Sequence, residues 1–551
     1  MPKPGRVLNL GAVIIFILML LLETGLDTPT SLALENGLAR TPPLGWSSWY
    51  AYGCNITEQK IKSQADAMVS TGMANLGYSY INLDDCWQGG RDVSGNLYPD
   101  PLKFPNGMKN LADYIHSKNL KFGIYTARGT QTCADAVGSQ DYEVQDAKTF
   151  AAWEVDFVKD DDCYFTREAR SQYQTMRDAL QSTGRPVVFS LSTAHTLAAP
   201  WGNETANLWR TGPDVAAYIG GSLRVSWDEG SYNVLNNIEA NAKYAEIAGP
   251  GGWNDPDHLI IGKGLSATED QSVFSLWAMM AAPLIAGNDL NDMTPTTRDI
   301  LTNPEVIAVN QDPLGIQATV IEQDTTGKLQ VWAKQLQVSG TQAVLLFNKS
   351  DKPANISLNL ADLGLSEPVS LRDLWAHAER TSLNGSYSSN VPAHGVVMLK
   401  ATGTPPPLPA PGATYLSDFS WYFARTGYAT VQKDRSISGA NLRLKKKAYS
   451  KGLGTHANSD IRYNLGRKCT SFMAEIGIDD DTNNKQASVI FQVYADGTKL
   501  YDSGKIEIGS PTKQLELNIK GKETLRLVVL DNFDGISHDH ADWGGAVVRC
   551  T

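Results

Sequence analysis

The segment from Lys159 to Cys163 places three consecutive carboxyl groups directly after the strand-like run Trp153 to Val158. In an α/β barrel, residues just past the carboxyl end of a strand line the active-site mouth, and side chains alternate along the strand. We therefore expect Lys159 and Asp161 to share the face toward the mouth, with Asp160 pointing away. A neighbouring lysine favours the ionised form of an aspartate, which suits a nucleophile.

Other polar segments fall where further strands are expected to end, and their side chains could hold a polyhydroxylated ring. Trp46 offers an indole for the apolar face of a sugar, whereas Asp84 and Asp85 offer carboxylates for neighbouring hydroxyls. The remaining candidates of this kind are Tyr125, Arg210, Asp214 and Asp257. A guanidinium such as that of Arg210 can hold a hydroxyl or tune a nearby carboxylate.

These side chains suit the hydrolysis of a glycosidic bond, which generally needs two carboxyl groups with different pKa values. One group attacks or stabilises the developing oxocarbenium carbon, and the other protonates the leaving oxygen. Asp161 suits the first role. Asp214, which has Trp209 and Pro213 as apolar neighbours, suits the second if its pKa is raised. An aspartate that follows a proline is also common in simple turns.

Strand-like runs alternate with helical patterns between Arg40 and Asp312, and this order must position the candidates. The clearest runs are Tyr80 to Leu83, Lys121 to Tyr125, Val155 to Val158 and Val187 to Leu191. Met108, Leu111 and Ile115 recur at helical spacing, and Thr57 could cap another helix. The alternation predicts a parallel sheet, and its repeats favour a (β/α)8 TIM barrel over an open sheet.

The barrel, residues 40–312, is expected to be followed by two further domains. Closely spaced strand patterns in residues 313–402 predict an antiparallel β-sandwich. Residues 403–412 are rich in proline and predict a semi-rigid linker. Residues 413–551 are again rich in strand patterns and predict a second, C-terminal β-sandwich module. Several domains are expected of a chain of 551 residues.

Charge, leader and cysteines restrict the class of protein. The formal net charge of −11 argues against nucleic acid or an anionic membrane surface as the main partner. Residues 1–33 combine basic residues, a short apolar run and a small-residue end, which predicts a cleaved secretory signal, with an uncleaved anchor as the alternative. We therefore expect a secreted protein that has no membrane attachment after cleavage.

The six cysteines of the chain favour disulfides over metal ligation, and about 15 pairings are open.

The order of the motifs resembles that of the retaining α-galactosidases of glycoside hydrolase family 27. The motifs that carry the resemblance are Thr41 to Trp46, Leu83 to Trp87, Gly123 to Tyr125, Lys159 to Cys163, Trp209-Arg210 with Asp214, Gly252 to Asp257, and Leu276 to Leu284. They span roughly Arg40 to Leu399. The resemblance implies a barrel followed by an antiparallel sandwich, and a double-displacement mechanism without a metal or cofactor.

The resemblance also implies a role for each candidate. It makes Asp161 the nucleophile that forms a covalent glycosyl-enzyme, and Asp214 the acid that later acts as base. The implied sugar-binding residues are Trp46, Asp84, Asp85, Tyr125, Lys159, Arg210 and Asp257. The disulfides Cys54–Cys86 and Cys133–Cys163 are implied as well, and we expect Cys469–Cys550 in the last domain. The implied substrates are oligosaccharides, galactomannans or glycoconjugates with a terminal α-linked galactose.

Five positions qualify this resemblance. Beside the nucleophile, Asp160 replaces an aromatic residue and Asp162 replaces a small one. Ser192 is similar to the small residue of the α-N-acetylgalactosaminidase pocket, which leaves room at the 2-position of the sugar. Trp201, in contrast, is similar to the tryptophan that crowds this position in plant and fungal α-galactosidases. We therefore expect galactose, with N-acetylgalactosamine as the alternative. His258 stands where the family often has methionine.

The last domain resembles carbohydrate-binding modules of the NPCBM type over Tyr415 to Cys550. The matching segments are Lys451 to Ala457, Gly477 to Asp481 and Asp542 to Ala546. We expect this module to bind sugar, and a purely supporting domain is the alternative. A catalytically silent, lectin-like protein is the alternative for the whole chain. Asp479 to Asp481 lack the glycine and distal glutamate of a calcium loop and are interpreted as a turn, and Ser537 to His540 as surface residues.

Overall fold

The computed structural model describes Leu34 and residues 36–193, 198–482 and 486–551. The expected secretory signal, residues 1–33, lies outside these ranges. Within them, no helix is both long enough and apolar enough to cross a membrane.

Eight parallel strands form the first sheet. They are β1 (Leu44–Ser47), β2 (Tyr80–Leu83), β3 (Lys121–Ala127), β4 (Phe157–Asp161), β5 (Val188–Ser192), β6 (Leu208–Arg210), β7 (Trp253–Asp255) and β8 (Leu284–Ala286). Their order is β7-β6-β5-β4-β3-β2-β1-β8. The two ends of the sheet meet where Leu259, just past β7, pairs in parallel with Ala286. The sheet therefore closes into the barrel that the sequence predicted.

Helices follow the strands and pack on the outside of the barrel. They are α1 (Glu58–Ser70), α2 (Gly107–Ser117), α3 (Glu143–Ala152), α4 (Ala169–Ser182), α5 (Gly202–Thr205), α6 (Val234–Ala242), α7 (Ala267–Met279), α8 (Pro295–Leu301) and α9 (Pro304–Asn310). Thr57 caps α1, since its hydroxyl oxygen accepts the N–H of Lys60 at 3.3 Å. Met108, Leu111 and Ile115 are buried along one face of α2, as their spacing predicted.

Strand β4 extends further than its apolar residues indicated. Val155 precedes the strand, whereas Lys159, Asp160 and Asp161 continue it and pair with both β3 and β5. Because charged residues complete this strand, its carboxyl end is itself part of the polar mouth. Two smaller elements shape the mouth as well: a one-turn helix, Trp49–Tyr52, and a hairpin formed by Ala216–Ile219 and Ser222–Val225.

The second domain is an antiparallel sandwich, as predicted. Its strands are β9 (Thr319–Gln323), β10 (Leu329–Gln335), β11 (Thr341–Asn348), β12 (Ala354–Asn359), β13 (Ser366–Asp373), β14 (Ala378–Leu383), β15 (Ser386–Val391) and β16 (Val396–Thr404). A six-stranded sheet, β9-β10-β11-β16-β13-β14, accompanies the pair β12-β15. Val344, Leu346, Leu358 and Leu399 are among the residues of the core between them.

The C-terminal module is a second sandwich. Its strands are β17 (Gly412–Tyr415), β18 (Phe423–Arg425), β19 (Gln432–Lys433), β20 (Arg443–Leu444), β21 (Lys447–Ala448), β22 (Gly452–His456), β23 (Ser459–Asn464), β24 (Cys469–Ile478), β25 (Ser488–Ala495), β26 (Thr498–Glu507), β27 (Lys513–Asn518), β28 (Thr524–Leu530) and β29 (His540–Cys550). The sheet β19-β22-β29-β24-β27 faces the sheet β18-β23-β28-β25-β26. Phe491 and Trp543 pack edge to face in the core, 5.0 Å apart, and a disulfide joins Cys469 to Cys550.

This module packs against the barrel at the amino-terminal ends of the strands. Arg425 forms an ion pair with Glu246, which lies ahead of β7. A groove at this junction is lined by Arg40, ahead of β1, by Pro250 and by Lys499 of the module. The amide of Asn464 also donates a hydrogen bond to Ser339 of the second domain, at 3.2 Å. The carboxyl ends of the barrel strands lie at the opposite side, away from this interface.

Candidate active site

All eight barrel strands contribute to the lining of one cavity, which reaches from apolar side chains such as Phe157 and Leu208 in the barrel interior to polar groups at the carboxyl ends of the strands. Its lining includes Ser47, Asp84, Tyr125, Lys159, Ser190, Ser192, Arg210, Asp255, Asp257, His258 and Ile285. Six of these were candidates from the sequence: Asp84, Tyr125, Lys159, Ser192, Arg210 and Asp257. The parallel barrel therefore brings together side chains that lie more than a hundred residues apart in the chain.

Lys159 forms the first charged pair of the cavity. Its ammonium lies 2.9 Å from Asp84 Oδ2 and 5.2 Å from the centre of the Tyr125 ring. The hydroxyl of Ser47 donates to the same carboxylate oxygen at 3.3 Å. Burial alone would lower the pKa of Lys159, but the carboxylates of Asp84 and Asp161 outweigh it and raise that pKa. The lysine therefore stays charged, with Asp84 as its direct partner and Asp161 acting through space.

The carboxylate of Asp161 is oriented by two hydrogen bonds. The hydroxyl of Tyr125 donates to Oδ2 at 2.8 Å, and the N–H of Asp162 donates to Oδ1 at 2.9 Å. Burial, followed by the charge of Asp161, raises the pKa of Tyr125 well above its usual value, so the tyrosine remains a neutral donor. A disulfide joins Cys133 to Cys163, and Cys133 Sγ lies 3.3 Å from Asp161 Oδ2. This bridge connects the segments that follow β3 and β4.

The two acidic neighbours of Asp161 point away from the cavity, as strand alternation predicted for Asp160. Asp162 forms a buried ion pair with the guanidinium of Arg128 at 2.5 Å. Asp160 is fully buried, and neither of its oxygens has a hydrogen-bond partner among the described residues. Burial, followed by the charge of Asp161, raises the pKa of Asp160 well above its usual value. Burial and the neighbouring carboxylate of Asp161 therefore favour the protonated form of Asp160.

Asp257 is held in its ionised form. Its Oδ1 lies 3.3 Å from Arg210 Nη1, and its Oδ2 accepts the Tyr50 hydroxyl at 2.6 Å and the Val215 N–H at 2.8 Å. Burial opposes ionisation, but Arg210, His258 and these hydrogen bonds lower the pKa of Asp257 to about 2. The residue has a left-handed backbone with φ of 87°, which turns the chain just past β7.

Asp214 differs from Asp257 although both contact Arg210. Its Oδ1 lies 3.2 Å from Arg210 Nη2, and 44% of its side chain is exposed at the mouth. The surrounding residues still reduce the hydration of this carboxyl group. The loss of hydration raises the pKa of Asp214, Arg210 opposes the rise, and the negative charges of Asp257 and Asp161 add to it, so that the net shift is upward. A raised pKa is the property that a proton donor requires.

The structure places Trp46 differently from the sequence prediction. The indole has no exposed surface, its N–H donates to the Asn288 carbonyl at 2.6 Å, and Tyr52 covers it at 6.1 Å between ring centres. An open aromatic face for a sugar is therefore not available at this position. The indole instead belongs to the large hydrophobic core.

Asp85 also has a different environment from Asp84. Its Oδ1 accepts the N–H of Cys86 at 2.6 Å, and its Oδ2 accepts the N–H of Ala134 at 2.9 Å. The side chain is buried, which raises its pKa to about 6. Both oxygens are thus engaged by backbone groups, so Asp85 braces the loop that carries Cys133. A further disulfide, Cys54–Cys86, fixes the neighbouring segment.

Ser192 and Trp201, which gave conflicting predictions about the sugar, lie in different places. Ser192 lines the cavity at the end of β5. Trp201 precedes α5 and is mostly buried, and its ring packs 6.0 Å from that of Tyr173. Residues 194–197, which connect them, lie outside the described part of the chain.

Tyr50 was missed in the sequence analysis although it contacts Asp257. It belongs to the one-turn helix that follows β1, and its hydroxyl also lies 3.3 Å from the Ala216 carbonyl. Its position in the sequence could have identified Tyr50 as a candidate, because residues just after any barrel strand can reach the mouth. His258 is likewise part of the cavity lining, and its buried Nδ1 has no hydrogen-bond partner among the described residues. Burial lowers its pKa.

Two groups of potential metal ligands occur among the described residues. Cys133, Asp161 and Cys163 form one, but both sulfurs are engaged in the disulfide. Asp113, His116 and Glu154 form the other on the outer surface, where Lys109 already contacts both carboxylates, Glu154 at 3.6 Å. Neither group has the free, convergent ligands of a closed protein metal site.

The chain matches three known families in succession. Residues 41–312 match the family described as alpha galactosidase A, residues 326–401 match the alpha galactosidase C-terminal beta sandwich domain, and residues 412–549 match the NPCBM/NEW2 domain. The chain is 44% identical over 376 residues to the alpha-galactosidase of Cyamopsis tetragonoloba, which covers 67% of this chain and 88% of the relative.

Two solved structures show the same likeness. Alpha-galactosidase I from Mortierella vinacea is 36% identical with a TM-score of 0.62, over 67% of this chain and 99% of that one. The alpha-galactosidase from Saccharomyces cerevisiae with raffinose is 31% identical with a TM-score of 0.60, over 66% of this chain and 98% of that one.

Proposed function

Since the chain belongs to the alpha-galactosidase family, we propose that it is a retaining exo-glycosidase that removes terminal α-linked galactose from oligosaccharides, galactomannans or glycoconjugates. The observation that carries this proposal is the contrast between two aspartates at one mouth. Asp161 is oriented by Tyr125 and lies in the field of the Lys159 ammonium. Asp214 is partly exposed and has a raised pKa.

The first step forms a covalent intermediate. A carboxylate oxygen of Asp161 attacks the anomeric carbon while the bond from this carbon to the glycosidic oxygen breaks. Asp214 donates its proton to the departing oxygen, so the rest of the substrate leaves as an alcohol. The Tyr125 hydroxyl and the Asp162 N–H hold the attacking carboxylate in a fixed orientation.

The second step releases the sugar. Asp214, now ionised, removes a proton from a water molecule, and the water oxygen attacks the anomeric carbon. The bond to Asp161 breaks, and galactose leaves with its original anomeric configuration because two inversions have occurred. The proton on Asp214 is thereby restored for the next cycle.

The charged pairs of the cavity supply the sugar contacts. Asp84 and Asp257 are acceptors for sugar hydroxyls, and each of these buried carboxylates is paired with a cation, Lys159 and Arg210 respectively. The two cations also stabilise negative charge in a cavity from which a bound sugar excludes water. We propose these four residues, with Ser192, as the principal sugar-binding groups.

The second candidate function is that of an α-N-acetylgalactosaminidase, and Ser192 is the observation that favours it. Its small side chain lines the cavity, where a larger residue would reduce the space beside the sugar. Galactose remains the proposed substrate, because the matched relative and solved structures are named as alpha-galactosidases.

We test the function with paired 4-nitrophenyl glycosides, the α-galactoside and the α-N-acetylgalactosaminide. The wild-type protein should show the larger kcat/KM on the galactoside. The Asp161→Ala variant should lose about 10⁴-fold of this activity, and added azide should restore turnover with inverted configuration, because a small nucleophile can enter from the side of the missing carboxylate. Asp178→Ala, an exposed acid on α4, is the control.

Each outcome of this experiment has a clear meaning. Preference for the acetylated sugar would make the second candidate correct and Ser192 its specificity residue. Activity of Asp161→Ala equal to that of Asp178→Ala would remove Asp161 as the nucleophile. If the wild-type protein hydrolysed neither glycoside, the result would favour a lectin-like protein or an enzyme that acts on another α-glycoside.

The remaining parts of the chain receive proposals of the same kind. We propose residues 1–33 as a secretory signal, residues 40–312 as the catalytic barrel and residues 313–402 as its companion sandwich. Residues 403–412 would then be a linker, and residues 413–551 a carbohydrate-binding module, for which the match to the NPCBM/NEW2 domain is the support. Three disulfides fit a secreted protein.

A further inference from the structure

A cluster of cations lies on the surface of the C-terminal module. The hairpin formed by β20 and β21 carries Arg443, Lys445, Lys446 and Lys447 within five residues, and all four are exposed. Of these four, Lys447 alone has an ion-pair partner among the described residues, the carboxylate of Glu475. We call these four residues the basic hairpin. Three of its cations are therefore available to a charged partner.

The net charge of the module differs in sign from that of the rest of the chain. Residues 413–551 contain 19 lysines and arginines against 16 aspartates and glutamates, which gives a formal net charge of +3. Because the whole chain has a net charge of −11, residues 1–412 have a net charge of −14. A polyanion is therefore repelled by the barrel and the second domain, whereas the module attracts it.

The basic hairpin lies on the face of the module that points away from the barrel. Ile476 of β24 belongs to the core between the two sheets, so the next residue, Gly477, faces outward. The side chain of Leu444 packs there, 3.3 Å from the position that a Cβ of Gly477 would have. The contacts with the barrel come instead from the other sheet, through Arg425 of β18 and Lys499 of β26. The hairpin is therefore accessible to a large partner.

The turn of the basic hairpin holds lysines in a backbone conformation that favours other residues. β20 and β21 are joined by a two-residue turn, Lys445-Lys446, whose φ angles are 49° and 68°. Positive φ at both positions is typical of a type I′ turn, which strongly prefers Asn-Gly. The carboxylate of Asp480 holds the turn, since it accepts the N–H of Lys445 at 3.0 Å and that of Lys446 at 2.6 Å. Cations kept in an unfavourable conformation indicate that their charge has a function.

We propose that the basic hairpin binds an anionic polysaccharide of the polyuronate class, whose carboxylates pair with Arg443, Lys445 and Lys446. Exposed clusters of lysine and arginine are typical of sites for polyanions, and a guanidinium can bind a carboxylate through two hydrogen bonds. An extended polymer can follow the narrow hairpin while the rest of it stays away from the acidic barrel. A flat anionic membrane would instead face a larger part of the acidic chain.

This binding goes beyond the proposed glycosidase activity and does not depend on it. The module contacts the barrel at the amino-terminal ends of the barrel strands, and the hairpin lies on the far side of the module. A polymer bound to the hairpin therefore leaves the mouth open. The module thus attaches the enzyme to an anionic polymer while the barrel acts on a neutral galactoside.

The test measures binding of the full chain by affinity electrophoresis in gels that contain polygalacturonate or, as a neutral polymer, dextran. The wild-type protein should bind polygalacturonate more tightly than dextran, and added NaCl should weaken this binding. Lys445→Asn/Lys446→Gly removes two charges and introduces the residues that the turn prefers, so the fold should be retained while the affinity falls about tenfold. Arg443→Gln, in the strand rather than the turn, should lower the affinity about threefold.

A second double variant is the matched control. Lys468→Gln/Lys520→Gln changes the net charge by the same amount, at two exposed lysines near the opposite end of β24. This variant should bind polygalacturonate as the wild type does.

The outcomes separate this inference from the proposed function. Equal affinity of the wild-type protein for both polymers, or a loss in the control variant as large as that in the turn variant, would overturn the site. Tighter binding to phosphatidylserine vesicles or to duplex DNA at the same salt concentration would overturn the polysaccharide as the occupant. Both double variants should hydrolyse the 4-nitrophenyl α-galactoside as the wild type does. If the wild-type protein lacked that activity, the glycosidase function would fail and the binding result would stand.

Discussion

The barrel mouth and the C-terminal module both gather carboxyl groups, but they control the charge of these groups in opposite ways. In the mouth, Asp84 and Asp257 each face a cation, Lys159 and Arg210 respectively. In the module, Asp542 lies against Asp479, another carboxyl group. In general, a cation partner favours the ionised form of a buried acid, whereas a second carboxyl group favours a proton on it.

Within the module, neighbouring carboxyl groups of one cluster have pKa values shifted in opposite directions. Asp542 is fully buried, and burial, followed by its interaction with Asp479, raises its pKa well above the usual value. Asp481, two residues after Asp479, lies 2.6 Å from His540 Nδ1, and its pKa is lowered by this contact and by two serine hydroxyls despite partial burial. A local cation thus decides whether an enclosed carboxyl group is available as an ion.

The comparison teaches that a dense run of acidic residues has no single meaning. The same residue type is a cation-paired hydrogen-bond acceptor in the mouth, the proposed proton donor at its edge, and in the module a buried acid whose protonated form is favoured. Partners distant in sequence make the distinction, because the direct cation partner of Asp84 comes from a different strand.

Removing Asp214, the proposed proton donor at the mouth, should have the largest effect. Asp214→Ala should lower kcat/KM for raffinose about 10²- to 10⁴-fold, since the leaving oxygen then departs without a proton. The loss should be much smaller for α-galactosyl fluoride, whose leaving group needs none. In the wild-type protein, raffinose activity should fall as pH rises through the raised pKa of Asp214, because only the protonated form donates. This decline should be absent in Asp214→Ala with the fluoride.

Rates measured with both substrates across pH check this prediction, and Asp228→Ala, an exposed acid in the segment before α6, is the control. Equal losses on the two substrates would show that Asp214 does not act as the acid.

Replacing Lys159 by a neutral residue should leave a buried carboxyl group of the mouth without a cation partner, as is the case for Asp542 in the module. Lys159→Met should leave the buried Asp84 carboxyl group without its ammonium partner, and kcat/KM should fall about 10²-fold. Lys62→Met is a matched control, because Lys62 and Glu58 form a similarly enclosed pair on α1, with the lysine side chain 18% exposed against 17% for Lys159.

Steady-state rates and thermal unfolding of both lysine variants provide the measurement. A loss of activity in Lys62→Met as large as that in Lys159→Met would mean that the effect is one of general stability.

Removing a buried carboxyl group from the module should have the smallest effect, and on stability rather than on activity. Below the pKa of the unfolded chain, about 3.9 for aspartate, Asp542 is protonated in both states. As pH rises above this value, the unfolded chain releases the proton first, so a raised native pKa decreases stability. Asp542→Asn should therefore raise the unfolding midpoint at pH 8 by about 3–6 °C.

Calorimetry at pH 8 and near pH 4 checks this expectation, since the gain should shrink at the lower pH. Glu516→Gln, which changes an exposed acid of the same module, should show no such gain. A lower midpoint for Asp542→Asn at pH 8 would contradict the account of a neutral buried acid.

Much of the fold could be predicted from the sequence, because hydrophobic periodicity and turn residues are local signals. The runs at Tyr80 and Lys121 start strands of the barrel, and the helix pattern of Met108 to Ile115 lies within α2. The end of β4 could not be predicted in this way, since charged residues complete the strand and only their pairing with β3 and β5 shows it.

The positions of the candidate site were predicted better than the environments of its side chains. Strand ends indicated that Asp84, Lys159 and Asp257 would meet, because parallel strands bring their carboxyl ends to one face. Adjacent residues such as Asp84 and Asp85 could not be distinguished, since one of the backbone partners of Asp85, the N–H of Ala134, comes from a loop 49 residues away. The burial of Trp46 likewise depends on Tyr52 and Asn288, which no local pattern connects to it.

The position of β29 in its sheet has a consequence for how the module is made. This strand hydrogen-bonds with β17, β22 and β24 and thus lies at the centre of its sheet, yet it follows every other strand of the module in chain order. During synthesis, the barrel can fold as soon as its own strands have left the ribosome. The module cannot fold in this stepwise way, because the central strand of its sheet, β29, is synthesised last. Until β29 emerges, the apolar faces of β22 and β24 stay exposed. The demand for chaperones should therefore be concentrated in the final stage of translation.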